Sequence, residues 1–238
     1  MKEIYLTTPL KKLPQLKIYF SLILISLTTL ISCKKTTIES SNLVAFSVVN
    51  ASPTFATYDV YLNDGKLNSV ALPFGGSTKY GQYTAGTQNI KFTTSGRSES
   101  LLTKSISLTP NIYQTFYLID RPGSLDGLLV TDDVSANSND KAFIRFINLS
   151  PDAPALDLTV TNGTSLITGK AYKAASPFTT LASGTYSFDL KDGAGSVKAT
   201  LPNAVLTAGK YYTIISRGLI NPANSLEHPL SIQVILHQ

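Results

Sequence analysis

Beyond residue 42 the apolar positions fall in short runs and alternations, separated by Gly, Pro, Asn and Ser. That is a pattern of strands and turns, with no convincing helical period. Residues 44–49 and 143–147 read as apolar strands, each ended by an Asn-x-Ser-Pro turn: Asn50, Ser52 and Pro53 in one, Asn148, Ser150 and Pro151 in the other. Proline pre-sets φ for such a turn and cannot extend a central ladder. Residues 58–62 alternate before Asn63-Asp64-Gly65, a hairpin signal. Further strands are predicted at 88–94, 101–108, 113–119 and 128–130, and residues 230–236 alternate as a strand with one wet face does.

These segments repeat. At a constant offset of 98, Asn50, Ser52 and Pro53 match Asn148, Ser150 and Pro151; Asp59 matches Asp157, Gly65 matches Gly163, and Gly86-Thr87 matches Gly184-Thr185. Leu108-Thr109 matches Leu206-Thr207 and Tyr113 matches Tyr211, with similar residues between, such as Val49 with Ile147 and Tyr80 with Phe178. Turn residues and apolar positions recurring together imply one fold used twice. The first copy is expected over 43–133 and the second over 141–238, with 134–140 as a polar linker. About seven short strands in each predict an all-β protein of two tandem immunoglobulin-like β-sandwich domains.

The N-terminal 42 residues follow another logic. Lys2, Lys11, Lys12 and Lys17 precede an uncharged run at 18–30, rich in Leu and Ile. As a helix it would span about 20 Å, short of a bilayer core of about 30 Å, and so reads as the apolar region of a signal peptide over 1–32. Leu30-Ile31-Ser32-Cys33 follows, with the only cysteine of the chain. It resembles the bacterial lipobox: an aliphatic residue, a small residue, then the thiol that is lipidated and becomes the new N-terminus. Acyl burial at about 0.8 kcal/mol per CH₂ makes several chains on one cysteine a lasting tether. Residues 33–42 are then the lipidated Cys33 and a polar tether. A lone cysteine leaves no intrachain disulfide, so the domains must stand on their own cores.

Charge changes little once this segment is set aside. Of 20 basic and 15 acidic residues, 1–33 hold four lysines and one glutamate, leaving 16 against 14. Without a basic stripe, nucleic acid is not an expected partner. Trp is absent, and the abundance of Tyr, Phe, Val and Thr favours strands.

The segment from Asn148 to Leu158, reading N-L-S-P-D-A-P-A-L-D-L, resembles the signature of domain of unknown function family 4397. Two further segments fit: Leu181-Ala182-Ser183-Gly184-Thr185-Tyr186 and Ala208-Gly209-Lys210-Tyr211-Tyr212-Thr213. The first copy diverges, lacking the post-proline aspartate and the second proline. The resemblance implies a bacterial envelope protein of β-sandwich domains, often a lipoprotein of Bacteroidota type, and no known activity. Lys34 after the cysteine, where inner-membrane retention prefers aspartate, points by analogy to the outer membrane.

Candidate chemistry is sparse. Asp59 and Asp157 recur at equivalent positions, and the expected role of each carboxylate is to accept backbone N–H groups of its preceding Ser-Pro turn, fixing the strand opening. Asp132, Asp133, Asn137, Asn139 and Asp140 crowd the linker and could ligate Ca²⁺, but their spacing does not match an EF-hand, so a solvated linker is expected. His228 and His237 lack the companions of a zinc site and read as surface residues. Gly123-Ser124 and Gly195-Ser196 do not form a nucleophile elbow. The tyrosines (Tyr58, Tyr61, Tyr80, Tyr83, Tyr113, Tyr117, Tyr172, Tyr186, Tyr211 and Tyr212) could line a sugar-binding face, or pack as half-buried core. Asn50, Asn148 and Asn162 lie in N-x-S/T sequons of little weight in a bacterial lipoprotein.

No metal or cofactor is expected. The reading favoured is a non-enzymatic envelope module that meets the membrane through Cys33 and binds a glycan or an envelope protein. The alternative is an enzyme without a recognisable motif, for example a hydrolase using Asp157 or His228.

Overall fold

A computed structural model describes residues 42–237; the expected signal peptide, the Cys33 lipidation site and the tether through residue 41 lie outside the described residues. Strands are the only regular elements among the described residues, and there are sixteen. The first copy contributes β1 (Leu43–Asn50), β2 (Tyr58–Leu62), β3 (Gly65–Lys66), β4 (Gly81–Thr84), β5 (Gly86–Thr94), β6 (Ser100–Leu108), β7 (Tyr113–Ile119) and β8 (Asp126–Asp132). The second contributes β9 (Lys141–Asn148), β10 (Leu156–Val160), β11 (Ser165–Lys170), β12 (Thr179–Ala182), β13 (Gly184–Asp192), β14 (Val197–Leu206), β15 (Tyr211–Arg217) and β16 (Ser231–His237).

The topology duplicates strand for strand. In the first copy the sheets run β4-β1-β7-β8 and β3-β2-β5-β6; in the second, β12-β9-β15-β16 and β11-β10-β13-β14. Registers agree at the same offset: Ala45 faces Tyr113 in the parallel pair β1–β7, and Phe143 faces Tyr211 in β9–β15. At the last strand the offset widens to 105. Tyr113 pairs with Asp132, whereas Tyr211 pairs with His237, because β7 and β8 are joined by six residues (120–125) and β15 and β16 by thirteen (218–230).

Each copy is a two-layer sandwich. Val44, Phe46, Val48, Phe116 and Leu118 of one sheet pack on Val60, Ile90, Phe92 and Leu108 of the other. Ile144, Phe146, Tyr212 and Ile214 repeat the arrangement against Leu158, Phe188, Leu190 and Leu206. Alternation puts the neighbouring residues of β1, β7, β9 and β15 on the opposite faces of their sheets. Those faces are not wet. Val49, Ala51, Tyr117 and Ile119 of the first copy join Ile147, Leu149 and Ile215 of the second in a third buried cluster.

The result is four stacked layers with three cores, and both copies fall in one compact unit. β1 and β9 are buried from their second residue to their last, which is why both read as continuous apolar runs instead of alternations. The middle core, here called the seam, is built from equivalent positions: Val49 with Ile147, Ala51 with Leu149, Tyr117 with Ile215. The same patch of each copy meets itself, the logic of an isologous dimer interface written into one chain.

Candidate functional site

The Asn-x-Ser-Pro turns hold through asparagine. Asn50 Oδ1 accepts the Ser52 amide at 3.0 Å and Asn148 Oδ1 accepts that of Ser150 at 3.1 Å. Asn148 also bonds Pro154 O, Lys170 O and the Ser216 hydroxyl, and is fully buried. Ser52 and Ser150 are buried, and Pro53 and Pro151 carry the chain out of β1 and β9.

The aspartates act elsewhere than expected. Asp59 accepts the Gly96 amide at 3.0 Å and Lys66 Nζ at 2.9 Å, and its pKa is lowered by the Gly96 bond first, then by Lys66, against the opposing effect of burial. Asp157 accepts the Gly169 amide at 2.6 Å. Asp59 therefore ties β2 to the turn between β5 and β6, and Asp157 ties β10 to β11, neither to its own Ser-Pro turn. Because Asn at the turn head can accept and donate at once, it completes the turn without them.

The linker acids diverge. Asp133 bonds Ser135 and Asp140 bonds Ser138, both at the surface, while Asp132 turns inward. No group of three or more potential metal ligands occurs among the described residues.

Asp132 is one pole of a polar network that crosses the seam. Its Oδ1 pairs with Arg145 Nη2, and its Oδ2 accepts the hydroxyls of Tyr80 and Thr115, each at 2.7 Å. Arg145 donates Nη1 to Thr131 O at 2.8 Å and Nε to Thr213 Oγ1 at 2.7 Å, and its guanidinium lies over the Phe178 ring. His237 closes the circuit between Tyr80 (2.7 Å to Nδ1) and Thr213 (2.5 Å to Nε2).

The donors fix the imidazole's form. Tyr80 gives its proton to Asp132, so Nδ1–H of His237 donates to the tyrosine oxygen. Thr213 accepts from Arg145 and can give its own proton to Nε2. His237 is thus buried and neutral, a correction to its expected surface place, with a pKa lowered to about 4 by burial, which outweighs the attraction of Asp132. Burial, reinforced by the Asp132 charge, raises the Tyr80 hydroxyl well above its ordinary value.

Several members occupy repeat-equivalent positions: Thr115 with Thr213, Tyr80 with Phe178, and Asp132 with His237 through their pairing to Tyr113 and Tyr211. Arg145 stands where the first copy has Ser47. An arginine inside an otherwise apolar strand was the signal in the sequence for a buried ion pair.

Beside this network, where the linker leaves β8, opens a cleft of about 300 Å³. Phe143, Phe178 and Tyr211 wall it; Phe143 stacks on Tyr211 at 4.4 Å, and Phe178 meets Tyr211 edge-on at 5.0 Å. Thr131, Ser176, Thr179, Thr180 and the Asp133 carboxylate add polar groups, Arg145 lies at its floor, and the Tyr211 hydroxyl donates to Ala136 O of the linker. The counterpart on the other side of the seam, against Ser47, Thr78 and Tyr80, is half the size at about 150 Å³. Only one of the three rings has a counterpart in its walls: Tyr80, bonded to Asp132, stands for Phe178, whereas Ala45 stands where Phe143 does and Tyr113, the equivalent of Tyr211, does not line it.

The tyrosines offer no common platform. Tyr58, Tyr117, Tyr211 and Tyr212 are buried, and Tyr172 donates its hydroxyl to Asp120 at 2.7 Å; burial, reinforced by that bond, raises its pKa.

At the opposite end of the seam the long 218–230 loop reaches over the first copy. His228 donates its amide to Pro53 O at 2.9 Å, and Glu227 pairs with Arg121 at 2.5 Å. Asp152 holds the loop's root through the amides of Ile220 and Asn221. The His228 ring stacks on Phe74 at 4.1 Å and leans on Phe55, also at 4.1 Å, while the Arg217 guanidinium covers Phe74 at 4.3 Å. Burial, aided by the Arg217 charge, lowers the His228 pKa. His228 is half-buried by this stack, in place of the free surface position expected.

Fold and site define a duplicated all-β sandwich protein with a closed polar seam. Residues 44–159 match the model of the family described as domain of unknown function (DUF4397), which supports membership of that family. The match runs from β1 into β10, so it takes in the whole first copy and the opening of the second. No curated protein matches the chain. Among solved structures, the Bacillus anthracis TIE protein is similar at 11% identity with a TM-score of 0.24, over 74% of this chain and 34% of its own; the chain thus spans about a third of its length. A candidate cell adhesion protein from Bacteroides eggerthii is similar at 10% identity with a TM-score of 0.18, over 82% of this chain and 95% of its own.

Proposed function

We propose that this protein is a non-enzymatic binding module of the cell envelope, exported by its N-terminal signal and held by a lipid on Cys33 in the outer membrane. Both copies are then members of one family, duplicated and fused through the seam. The ligand surface is the 300 Å³ cleft at the seam.

One observation carries this reading. The cleft combines aromatic walls with hydroxyls, the composition that holds one face of a sugar by C–H contacts and its rim by hydrogen bonds. Its size is at the lower end of small-molecule sites, suited to a single saccharide unit of a glycan. Asp132 and Arg145 are paired with each other and His237 is bonded between Tyr80 and Thr213, so they orient the walls instead of offering an acid, base or nucleophile.

The test is a glycan array and a titration of neutral saccharides on the full chain, with Phe178→Ala alongside. Saturable binding lost in Phe178→Ala, with the folded signal intact, supports the module; no binding by a well-folded protein, or binding indifferent to Phe178, contradicts it. Metabolic labelling with a radioactive fatty acid checks the tether. Label is expected on the chain and absent from Cys33→Ala.

A further inference from the structure

The two halves of the seam's loop end are equivalent in the repeat but not in charge. Where the second copy presents Tyr172 and Lys173, every group is answered: Lys173 bonds Asp126 at 2.8 Å, and Tyr172 bonds Asp120. In the reciprocal half the equivalents are Phe74 and Gly75, and they face Arg217 and Gln233 where the first copy has Ile119 and Leu128. Gly75, at φ +76°, leaves room for the Arg217 guanidinium, into which a Cβ would run.

Arg217 has no acid. Its Nε and Nη1 are buried without a partner, and so is Oε1 of Gln233, whose amide nitrogen is taken by Gly75 O at 2.8 Å. The residue as a whole is only half-buried, which leaves Nη2 as the nitrogen that meets solvent. An unneutralised guanidinium, partly withdrawn from water, attracts an anion more strongly than a fully solvated one does. Next to it the stack continues outward through Phe74 and His228 to Phe55, which is 62% exposed.

We propose that this end of the seam binds a uronic-acid residue, with its carboxylate on Nη2 of Arg217 and its ring face on Phe55. The chemistry fits the solvent-facing groups: a carboxylate answers the guanidinium at Nη2, and a pyranose face suits the exposed Phe55 ring. An extended peptide would bring a backbone needing an open strand edge, which these loop residues do not supply. The site stands apart from the aromatic cleft and does not depend on it.

The test is a calorimetric titration of the full chain with a galacturonic-acid trimer and with the same trimer carboxyl-reduced to neutral sugars. The acidic trimer is expected to bind at least roughly tenfold tighter, the scale of one charge-assisted hydrogen bond. Arg217→Met should erase that preference and Phe55→Ala should weaken binding of the acid, while Phe178→Ala in the cleft leaves both unchanged. Because Arg217→Met also removes two unsatisfied buried donors, its unfolding midpoint should not fall, so lost binding cannot be ascribed to misfolding. Equal affinity for the two trimers, a preference that survives Arg217→Met, or no binding of either would overturn the proposal.

Discussion

Asp132 and Arg145 meet across the seam with both side chains withdrawn from water, and they belong to different copies of the same fold. Removing one partner of such a pair leaves the other as an uncompensated buried charge, at a cost of about 3–5 kcal/mol. Asp132→Ala and Arg145→Ala should each lose stability on that scale in urea unfolding. The double change Asp132→Leu with Arg145→Met should be much milder than the sum of the singles, since apolar residues can replace a buried pair with little loss.

His237 makes the seam sensitive to acid. Its folded pKa of about 4 lies below the unfolded value of 6.5, so the unfolded chain binds a proton more readily. The stability is fully present above pH 6.5 and is lost as pH falls from there towards 4, by roughly 3 kcal/mol in all. Unfolding midpoints measured between pH 7.5 and 4 should show this slope, and His237→Gln should flatten it within that window.

Asn148 outranks Asp157, though both recur in the two copies. Its buried amide serves Ser150, Pro154, Lys170 and Ser216 together, whereas Asp157 serves the Gly169 amide. Orphaned buried partners cost about 1–3 kcal/mol each, so Asn148→Ala should lose several kcal/mol and Asp157→Ala on the order of 1 kcal/mol. Thermal unfolding of the two variants compares them directly.

Gly218 sets the path of the long loop. Its φ is +84°, and a Cβ would strike the Pro229 carbonyl. Gly218→Ala should cost about 1–3 kcal/mol in strain and shift His228 off Phe74, read out as altered ring-proton shifts of both residues.

The strands, the turns and the offset of 98 were legible because each rests on local chemistry: proline and glycine at turns, alternation or apolar runs between them. The seam was not, although its trace was there. The uninterrupted apolar runs at 44–49 and 143–147 are the mark of strands buried on both faces, yet an isolated sandwich buries only one face of each strand. Asp132 looked like a linker acid because its partner lies in the other copy. His237 looked peripheral because the seven extra residues between β15 and β16 hid its equivalence with Asp132. Those same residues carry the loop that brings His228 to Phe55 and Phe74, a contact between copies that no local pattern encodes.

The central claim is that the two copies form one body, with its sites made where they meet. Hydrogen exchange of the full chain across a urea series, read peptide by peptide in β1, β7, β9 and β15, tests it most directly. Those four strands are expected to lose protection together at one urea concentration, in the wild-type chain. Loss of one copy's protection while the other remains fully protected would show two independent domains on a linker, and would contradict the account.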